Sequence, residues 1–305
     1  MSIAMQERPL VFGEILFDNF PDGARVLGGA PFNVAWHLQG FGLAPLFLSR
    51  IGQDAPGAEV QALMSAWHMD LSGIQIDDQH PTGQVQVSLH EGQPEYAIMP
   101  DQAYDFIDGP TVLSASGAVR PALLYHGTLA LRHPVSRAAW AQLCTAVAAP
   151  RCVDINLRAP WWESGLIQDV LHGAAWAKLN DEELLALSGD KPVPLQQAAR
   201  ALRCRYRLPL LIVTCGAAGA MLLTDECFLE ETPLAVSGVI DTVGAGDAFS
   251  AVALLGMMRA WSLQDTLQRA LEFAARICTI RGATVQDLAL YHDCLVSWGE
   301  EKIAD

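Results

Sequence analysis

One turn of the chain combines glycine residues with a carboxylate directly before a helix. Gly244, Ala245, Gly246 and Asp247 precede an apolar segment, 249–258, whose spacing is helical. Glycine lets the backbone approach a bound group closely, and the N–H groups at the start of a helix attract negative charge. A carboxylate is a poor neighbour for a phosphate if binding is the only task, but it suits a base that takes the proton of a hydroxyl nucleophile. The turn therefore predicts an anion hole with its own general base.

Two polar residues near the N-terminus lie at predicted strand and helix ends, where α/β proteins bind ligands. An apolar strand is predicted over 10–17, interrupted at Gly13-Glu14, and Asp18 follows it; Asn33 lies early in a helix that Gly28-Gly29 introduces. In open α/β sheets ligands bind beyond the carboxyl ends of the strands, and an asparagine amide both donates to and accepts from sugar hydroxyls. A turn cap at Asp18 and an ordinary helix start at Asn33 explain the same residues at least as well.

Three later segments also place polar residues or glycine at predicted strand ends. The strand at 151–155 leads into 154–158, where polar residues alternate in a way that is unusual for a buried strand and indicates a ligand nearby. Asn180 and Glu183 have the spacing of a helix capping box, although their oxygens are also suited to a magnesium ion and its waters. The glycine-rich turn at 215–219 suits the phosphates or ribose of a nucleotide, but a tight hairpin connection is the commoner explanation.

The elements that must position these residues alternate along the chain between strand and helix. This order predicts an α/β fold with a largely parallel sheet, built as one domain over 1–305. The pattern changes at 83–98, where apolar and polar residues alternate on either side of a turn at 91–94. Such a segment predicts an antiparallel hairpin with one wet face. We expect it to stand off the main domain as a lid.

Composition narrows the class of protein and of partner. The 305 residues have a formal net charge of -15, which disfavours nucleic acid or an anionic membrane surface as a partner. We find no apolar run long enough to span a membrane and no signal sequence, so we expect a cytoplasmic protein. The 7 cysteines form no CxxC pair and predict neither a disulfide framework nor a zinc site. An acidic protein that holds a polyphosphate must draw positive potential from backbone amides, a metal ion and a few arginines.

Taken in chain order, these segments resemble the ribokinase family of sugar kinases, which includes the phosphofructokinase-B type, and within it they are most similar to fructokinases. The most specific motif is DTVGAGDAF at 241–249. The other motifs, in order, are LGGAPFNVAWHLQGFG at 27–42, YDFI at 104–107, DINLR at 154–158, LNDEE at 179–183 and VTCGAAG at 213–219. The resemblance covers nearly the whole chain.

The resemblance implies a three-layer α/β/α domain with a small antiparallel β-sheet lid, formed by about 18–28 and 83–107, together with ATP, Mg²⁺ and possibly K⁺. It implies that Asp247 is the catalytic base and that the backbone N–H groups of Ala245, Gly246 and Asp247, with the Gly244 turn, form the anion hole. The implied sugar contacts are Asp18, Gly29, Asn33 and Arg158. The implied nucleotide contacts are Asn180, Glu183, Thr214, Gly216 and Gly219. The implied metal contacts are Asp241 for a monovalent cation and Glu183, through water, for magnesium.

Two segments depart from the family pattern. Ala30-Pro31-Phe32 replaces the Lys-Gly-Ala of ribokinase itself, which disfavours ribose and favours a hexose. Arg281-Gly282-Ala283 is one residue shorter than the usual Arg-x-Gly-Ala, and this changes the backbone path on which the cation loop and the adenine pocket depend.

The resemblance implies ATP-dependent phosphorylation of a primary hydroxyl of a hexose, with fructose converted to fructose 6-phosphate. Alternative acceptors are 2-keto-3-deoxygluconate, a nucleoside or a riboside such as an aminoimidazole riboside. A non-catalytic sugar- or nucleotide-binding homologue is a further alternative, against which the intact Asp247 argues. A dinucleotide-dependent dehydrogenase is disfavoured because no GxGxxG turn follows the first strand. We also expect a homodimer formed through the lid edges.

Overall fold

Strands and helices alternate along almost the whole chain in the computed structural model, which describes residues 7–90, 93–189, 193–233, 236 and 238–300. The strands are β1 (Glu7–Phe12), β2 (Leu16–Asn19), β3 (Arg25–Gly28), β4 (Leu46–Gly52), β5 (Ile74–Asp77), β6 (Gly83–His90), β7 (Gln93–Ile98), β8 (Arg120–His126), β9 (Arg151–Asp154), β10 (Trp176–Asn180), β11 (Leu210–Thr214), β12 (Ala220–Leu223) and β13 (Phe228–Glu231). The helices are α1 (Ala30–Gly40), α2 (Ala55–Ala66), α3 (Gly109–Gly117), α4 (Pro134–Ala146), α5 (Ser164–Leu171), α6 (Asp181–Ser188), α7 (Leu195–Tyr206), α8 (Ala245–Met258), α9 (Leu263–Ile277) and α10 (Leu288–Ser297). This alternation confirms the predicted α/β fold.

The main sheet has nine strands in the order β13-β12-β11-β10-β9-β8-β1-β4-β5. Its pairs are parallel except at one edge, where β12 is antiparallel to both of its neighbours, β11 and β13. Successive residues of β1 enter opposite layers: Val11 belongs to one buried apolar cluster, and Leu10 and Phe12 belong to the other. Helices α1, α8 and α9 contribute to the first cluster, and α4, α5 and α7 contribute to the second. The sheet is therefore buried on both faces, and the three-layer α/β/α architecture is confirmed.

The predicted small sheet is also present. Four strands pair in the order β3-β2-β6-β7. The outer pairs, β2 with β3 and β6 with β7, are antiparallel, whereas the central pair of β2 with β6 is parallel. The tip of the predicted turn, residues 91–92, lies outside the described residues. The function of this sheet as a lid over 18–28 and 83–107 stays a prediction, as does the division of the chain into domains.

The apolar segment predicted as one interrupted strand over 10–17 belongs to two sheets. β1 ends at Phe12 in the main sheet, and β2 starts at Leu16 in the small sheet. Gly13 lies at the crossing, where a side chain would overlap with the ring of Pro31. The interruption was therefore correctly predicted, but its consequence was not, because the contact with Pro31 joins residues that are distant in sequence. Three residues, 13–15, connect the main domain to the small sheet.

The surface gives two further observations. Among the helices of the described residues, none combines the length and hydropathy that a membrane span requires. On the small sheet, Val26 is 38% exposed and Tyr96 is 51% exposed, so its strands present apolar groups to solvent. The homodimer through the lid and the cytoplasmic location both stay predictions.

Candidate active site

The predicted anion hole forms the first turn of α8. Gly244 precedes the helix with a φ of 79°, a left-handed conformation that favours glycine, and a side chain there would overlap with Ala283. The Ala245 N–H donates to the Thr242 carbonyl at 3.3 Å. The first N–H groups of a helix have no intrahelical acceptor, so those of Gly246 and Asp247 are directed out of the helix start. The turn thus provides the local positive potential that an anion requires.

Asp247 meets Asn33, which lies 214 positions earlier in the chain. The Asn33 Nδ2 group donates to the Asp247 Oδ2 atom at 2.7 Å. Burial raises the pKa of Asp247 to about 6, while the hydrogen bond from Asn33 and the positive charges of Lys178 and Arg158 oppose that rise. At neutral pH the carboxylate is therefore mainly ionised, yet it is more basic than an ordinary aspartate, as a general base should be.

The predicted sugar contacts surround this pair. Gly29 precedes α1 with a φ of 109°, and a Cβ atom there would lie 2.6 Å from the Glu14 carbonyl oxygen, so the backbone runs close at this point. Asp18 lies within β2 of the small sheet rather than beyond the end of a main-sheet strand, and burial raises its pKa to about 6. Arg158 is exposed, and its charge opposes the pKa rise of both Asp18 and Asp247, which places it towards the same site.

The predicted nucleotide contacts lie at the adjacent strand ends. Asn180 and Thr214 are partners in the register of β10 and β11. Gly216 and Gly219 have φ values of 53° and 108°, and the Cys215 N–H donates to the Gly219 carbonyl at 2.7 Å. The tight hairpin connection is thus confirmed, and it brings the glycine backbone to the same edge as Asn180.

The capping box at the start of α6 is also confirmed. The Asn180 Oδ1 atom accepts from the Glu183 N–H at 2.7 Å, and the Glu183 Oε2 atom accepts from the Asn180 N–H at 2.8 Å. The Glu183 Oε1 atom accepts from the Leu157 N–H at 2.7 Å. Both carboxylate oxygens therefore hold backbone groups, and Glu183 ties the 154–158 segment to α6.

Asp241 joins two loops near the anion hole. Its Oδ1 atom accepts from the Val243 N–H at 3.0 Å, and its Oδ2 atom accepts from the Gly282 N–H at 3.2 Å. The shortened 281–283 segment is thus held against the approach to α8. The function of Asp241 as a cation ligand stays a prediction.

Lys178 is a site residue that the sequence analysis did not assign. It is buried in β10, and its Nζ atom donates to the Asp154 Oδ2 atom at 2.7 Å. Burial lowers the pKa of Lys178, but the charge of Asp154 outweighs this and raises it, so the ammonium group stays charged. The Nζ atom lies 3.1 Å from the position that a Cβ atom on Gly246 would occupy, directly against the anion hole. A lone lysine in the apolar strand AWAKL of a chain with so few cations was the available signal.

The prediction that Asp154 points towards a ligand was therefore wrong. Its carboxylate accepts from Lys178, from the Ser250 hydroxyl at 3.1 Å and from the Tyr125 hydroxyl at 3.3 Å. The alternation expected over 154–158 ends at Asn156, whose φ of 41° turns the chain out of the strand. Asp154 thus holds Lys178 beside the first turn of α8.

Comparison with known proteins agrees with this geometry. The model of the pfkB family carbohydrate kinases matches residues 14–288. Fructokinase from Salmonella typhimurium is 29% identical over 299 residues, which cover 92% of this chain and 95% of that protein. The structure of fructokinase from Vibrio cholerae O395 with fructose, ADP and calcium ion bound has a TM-score of 0.77 at 27% identity, with 94% of this chain and 98% of that chain covered. Aminoimidazole riboside kinase from Salmonella enterica, complexed with aminoimidazole riboside and an ATP analog, has a TM-score of 0.80 at 22% identity over 96% of this chain and 100% of that chain, a likeness of fold alone.

Proposed function

Because the chain belongs to the pfkB family of carbohydrate kinases, we propose that it transfers a phosphoryl group from ATP to a primary hydroxyl of a hexose, converting fructose to fructose 6-phosphate. The contact between Asn33 and Asp247 at the first turn of α8 is the observation that supports this most directly. It places a carboxylate with a raised pKa beside N–H groups that can hold a phosphoryl group. The two fructokinases named above support fructose as the acceptor.

In this mechanism Asp18 and Asn33 position the sugar, and the Asp247 carboxylate accepts the proton of the attacking CH₂OH group. The Gly246 and Asp247 N–H groups, with the Lys178 ammonium group behind them, stabilise negative charge on the phosphoryl group during transfer. Closure of the small sheet excludes water, which would otherwise compete with the sugar for the phosphoryl group.

The edge formed by β10 and β11 would hold the nucleotide, through Asn180, Thr214 and the backbone of the 215–219 turn. Within the described ranges no group of three or more His, Cys, Asp or Glu side chains could hold a metal ion. Both Glu183 oxygens already accept from backbone N–H groups, which fits a magnesium ion bound mainly by phosphates and water. When bound, such an ion neutralises phosphate charge. We propose that Glu183 contacts its waters and that Asp241 contributes to a potassium site.

Measurement of ADP formation over a panel of acceptors tests the proposed function. The panel contains fructose, glucose, ribose, 2-keto-3-deoxygluconate and aminoimidazole riboside, each with ATP and magnesium, with and without potassium. We expect the highest kcat/KM with fructose, and NMR of the product should identify fructose 6-phosphate. ADP formation only with another acceptor would replace fructose in the proposal. An absence of ADP with every acceptor would instead indicate a binding protein without kinase activity.

A further inference from the structure

Three polar atoms at the junction of the two sheets are buried without a hydrogen-bond partner. Within the described part of the chain, they are the Glu14 Oε2 atom, the Tyr104 hydroxyl and the Arg132 Nη1 atom. Glu14 is 1% exposed and Tyr104 is 0% exposed. Buried polar groups are almost always hydrogen-bonded in native proteins, so three unsatisfied atoms in one place require an explanation.

These residues lie near one another. The Arg132 Cζ atom lies 5.1 Å from the centroid of the Tyr104 ring, and a Cβ atom on Gly83 would contact both Tyr104 and the carbonyl of Ile15, the residue after Glu14. The charge of Asp247 also affects the pKa of Glu14. The Glu14 carbonyl also lies against Gly29, one of the predicted sugar contacts. We call Glu14, Tyr104 and Arg132 the junction cluster. It lies between the proposed sugar site at Asp247 and the small sheet.

The small sheet begins at the junction cluster. β2 starts at Leu16, two residues after Glu14. The Tyr104 ring packs at the start of β6, where a Cβ atom on Gly83 would lie 2.8 Å from Tyr104 Cε1. The junction of the two sheets therefore lies at the cluster.

The guanidinium group of Arg132 is held in place and neutralised. Its Nε and Nη2 atoms each donate to the Asp105 carboxylate at 2.7 Å, and Nη2 also donates to the Met99 carbonyl at 2.6 Å. Its Cζ atom lies 4.3 Å from the centroid of the Trp161 ring. Arg132 therefore offers an oriented N–H donor at Nη1 without an unbalanced positive charge.

Around the proposed sugar site the carboxyl groups outnumber the cations, so the net charge there is negative. Glu14, Asp18 and Asp247 are three carboxyl groups there, and Arg158 is the cation whose charge acts on all three. A carboxylate on the acceptor would approach this surplus of negative charge. A hydroxyl group, by contrast, can donate to Glu14 and accept from Tyr104 or Arg132.

We propose that the junction cluster is a second acceptor subsite, which binds hydroxyl groups at the end of a neutral hexose remote from the phosphorylated carbon. This inference rests on the proposed kinase function and narrows its substrate class. The cluster selects against acidic sugars, because their carboxylate would meet the charges of Asp18 and Asp247 and the ionised fraction of Glu14.

Tyr104→Phe is the sharpest test, because the hydroxyl that it removes makes no well-aligned hydrogen bond in the protein and has the Arg132 guanidinium group as its neighbour. If that hydroxyl has no ligand, its removal should leave catalysis unchanged. We expect the KM for fructose to rise by about threefold to tenfold. The KM for ATP should stay within about twofold, because the nucleotide lies at a different edge. The midpoint of thermal unfolding should change little, since the hydroxyl makes no well-aligned hydrogen bond in the folded protein.

Glu14→Gln tests the charge of the cluster with a side chain of the same shape. We expect about a tenfold or greater loss of kcat/KM for fructose, mainly through KM, and a smaller ratio of kcat/KM between fructose and 2-keto-3-deoxygluconate. Glu272→Gln is the matched control, because Glu272 is a partly buried glutamate on α9 that accepts from the Trp298 indole and lies outside the cluster. It should change neither constant. Isothermal titration of fructose should reproduce these differences as changes in Kd.

The outcomes separate this inference from the proposed function. A wild-type protein that phosphorylates fructose, with both variants showing an unchanged KM and Kd for fructose, overturns the subsite and leaves the kinase proposal standing. Preference of the wild type for an acidic sugar also overturns it. An absence of ADP with every acceptor contradicts the proposed function and removes the inference with it.

Discussion

The proposed acceptor side and the proposed nucleotide side of the site differ in how their polar groups are satisfied. On the nucleotide side, the capping box of Asn180 and Glu183 and the 215–219 turn are closed by hydrogen bonds between residues a few positions apart, and Glu183 also accepts from the Leu157 N–H. On the acceptor side, Asn33 and Asp247 meet across 214 positions, and Glu14 is buried with a carboxyl oxygen that has no partner within the described residues.

The difference indicates which side is complete before a ligand binds. Local hydrogen bonds hold the proposed nucleotide edge in shape. Burial raises the pKa of Glu14, Asp18 and Asp247, because it destabilises their ionised forms. Hydrogen bonds from a bound acceptor would stabilise these carboxylates. We infer that specificity resides on the acceptor side. The following substitutions test this division from the largest expected effect on activity to the smallest, and a test of stability comes last.

Lys178 lies between the two sides, and Lys178→Met should have the largest effect of this series. It leaves the Asp154 charge buried and unpaired, which should destabilise the protein by about 3 kcal/mol and lower kcat by about tenfold to a hundredfold. The double variant Lys178→Met with Asp154→Asn should regain most of the stability but not the activity. Urea denaturation and steady-state kinetics measure both. Recovery of kcat in the double variant would show that Lys178 acts only on folding.

Asn33→Ala tests the acceptor side through the pH dependence of activity. The hydrogen bond from Asn33 lowers the pKa of Asp247, so its loss should raise that pKa. Because the base must be ionised, kcat/KM rises with pH through this pKa, and the acid limb should move to higher pH in the variant. We also expect about a tenfold lower kcat/KM for fructose. An acid limb at the wild-type position would contradict the contact between Asn33 and the base.

Glu183→Gln tests the nucleotide side. Loss of one carboxylate acceptor should lower the free energy of unfolding by about 1 kcal/mol. If the carboxylate also contacts the waters of magnesium, the magnesium concentration for half-maximal activity should rise about threefold to tenfold. Glu182→Gln, an exposed neighbour in the same helical turn, is the control and should change neither quantity. Lower stability with unchanged magnesium dependence would restrict Glu183 to the capping box.

The last prediction concerns the stability of the protein and its dependence on pH at Glu14. Burial raises its pKa to about 7, so the folded protein binds this proton more tightly than the unfolded chain does. The free energy of unfolding should therefore fall as pH rises from about 4 to about 7, and Glu14→Gln should remove this contribution. We expect the variant to exceed the wild type by on the order of 2 kcal/mol at pH 8 and by little at pH 4.5. Equal differences at the two pH values would contradict a buried, titrating Glu14.

The sequence predicted the features that depend on local chemistry. The glycine turns at Gly244 and Gly219, the capping box at Asn180 and the alternation of strands and helices all follow from neighbouring residues. The resemblance to sugar kinases added Asn33 as a partner in the same site as Asp247, which their spacing in the chain does not indicate.

The remaining features depend on contacts between distant segments. Phe12 and Leu16 enter different sheets, and the glycine between them at position 13 is required by a contact with Pro31 on another element. Asp154 turns towards Lys178 on the neighbouring strand, so alternation within its own strand did not predict its direction. The burial that raises the pKa of Glu14 likewise arises only when the two sheets and α1 come together.

The most direct test of the account is a rapid-quench measurement of fructose 6-phosphate formation by the wild type and by Asp247→Asn at pH 7.5, with saturating ATP, magnesium and fructose. We predict that the chemical step slows by about a hundredfold or more in the variant, while the Kd values of ATP and fructose change by less than about threefold. A variant that forms product at nearly the wild-type rate would contradict Asp247 as the base.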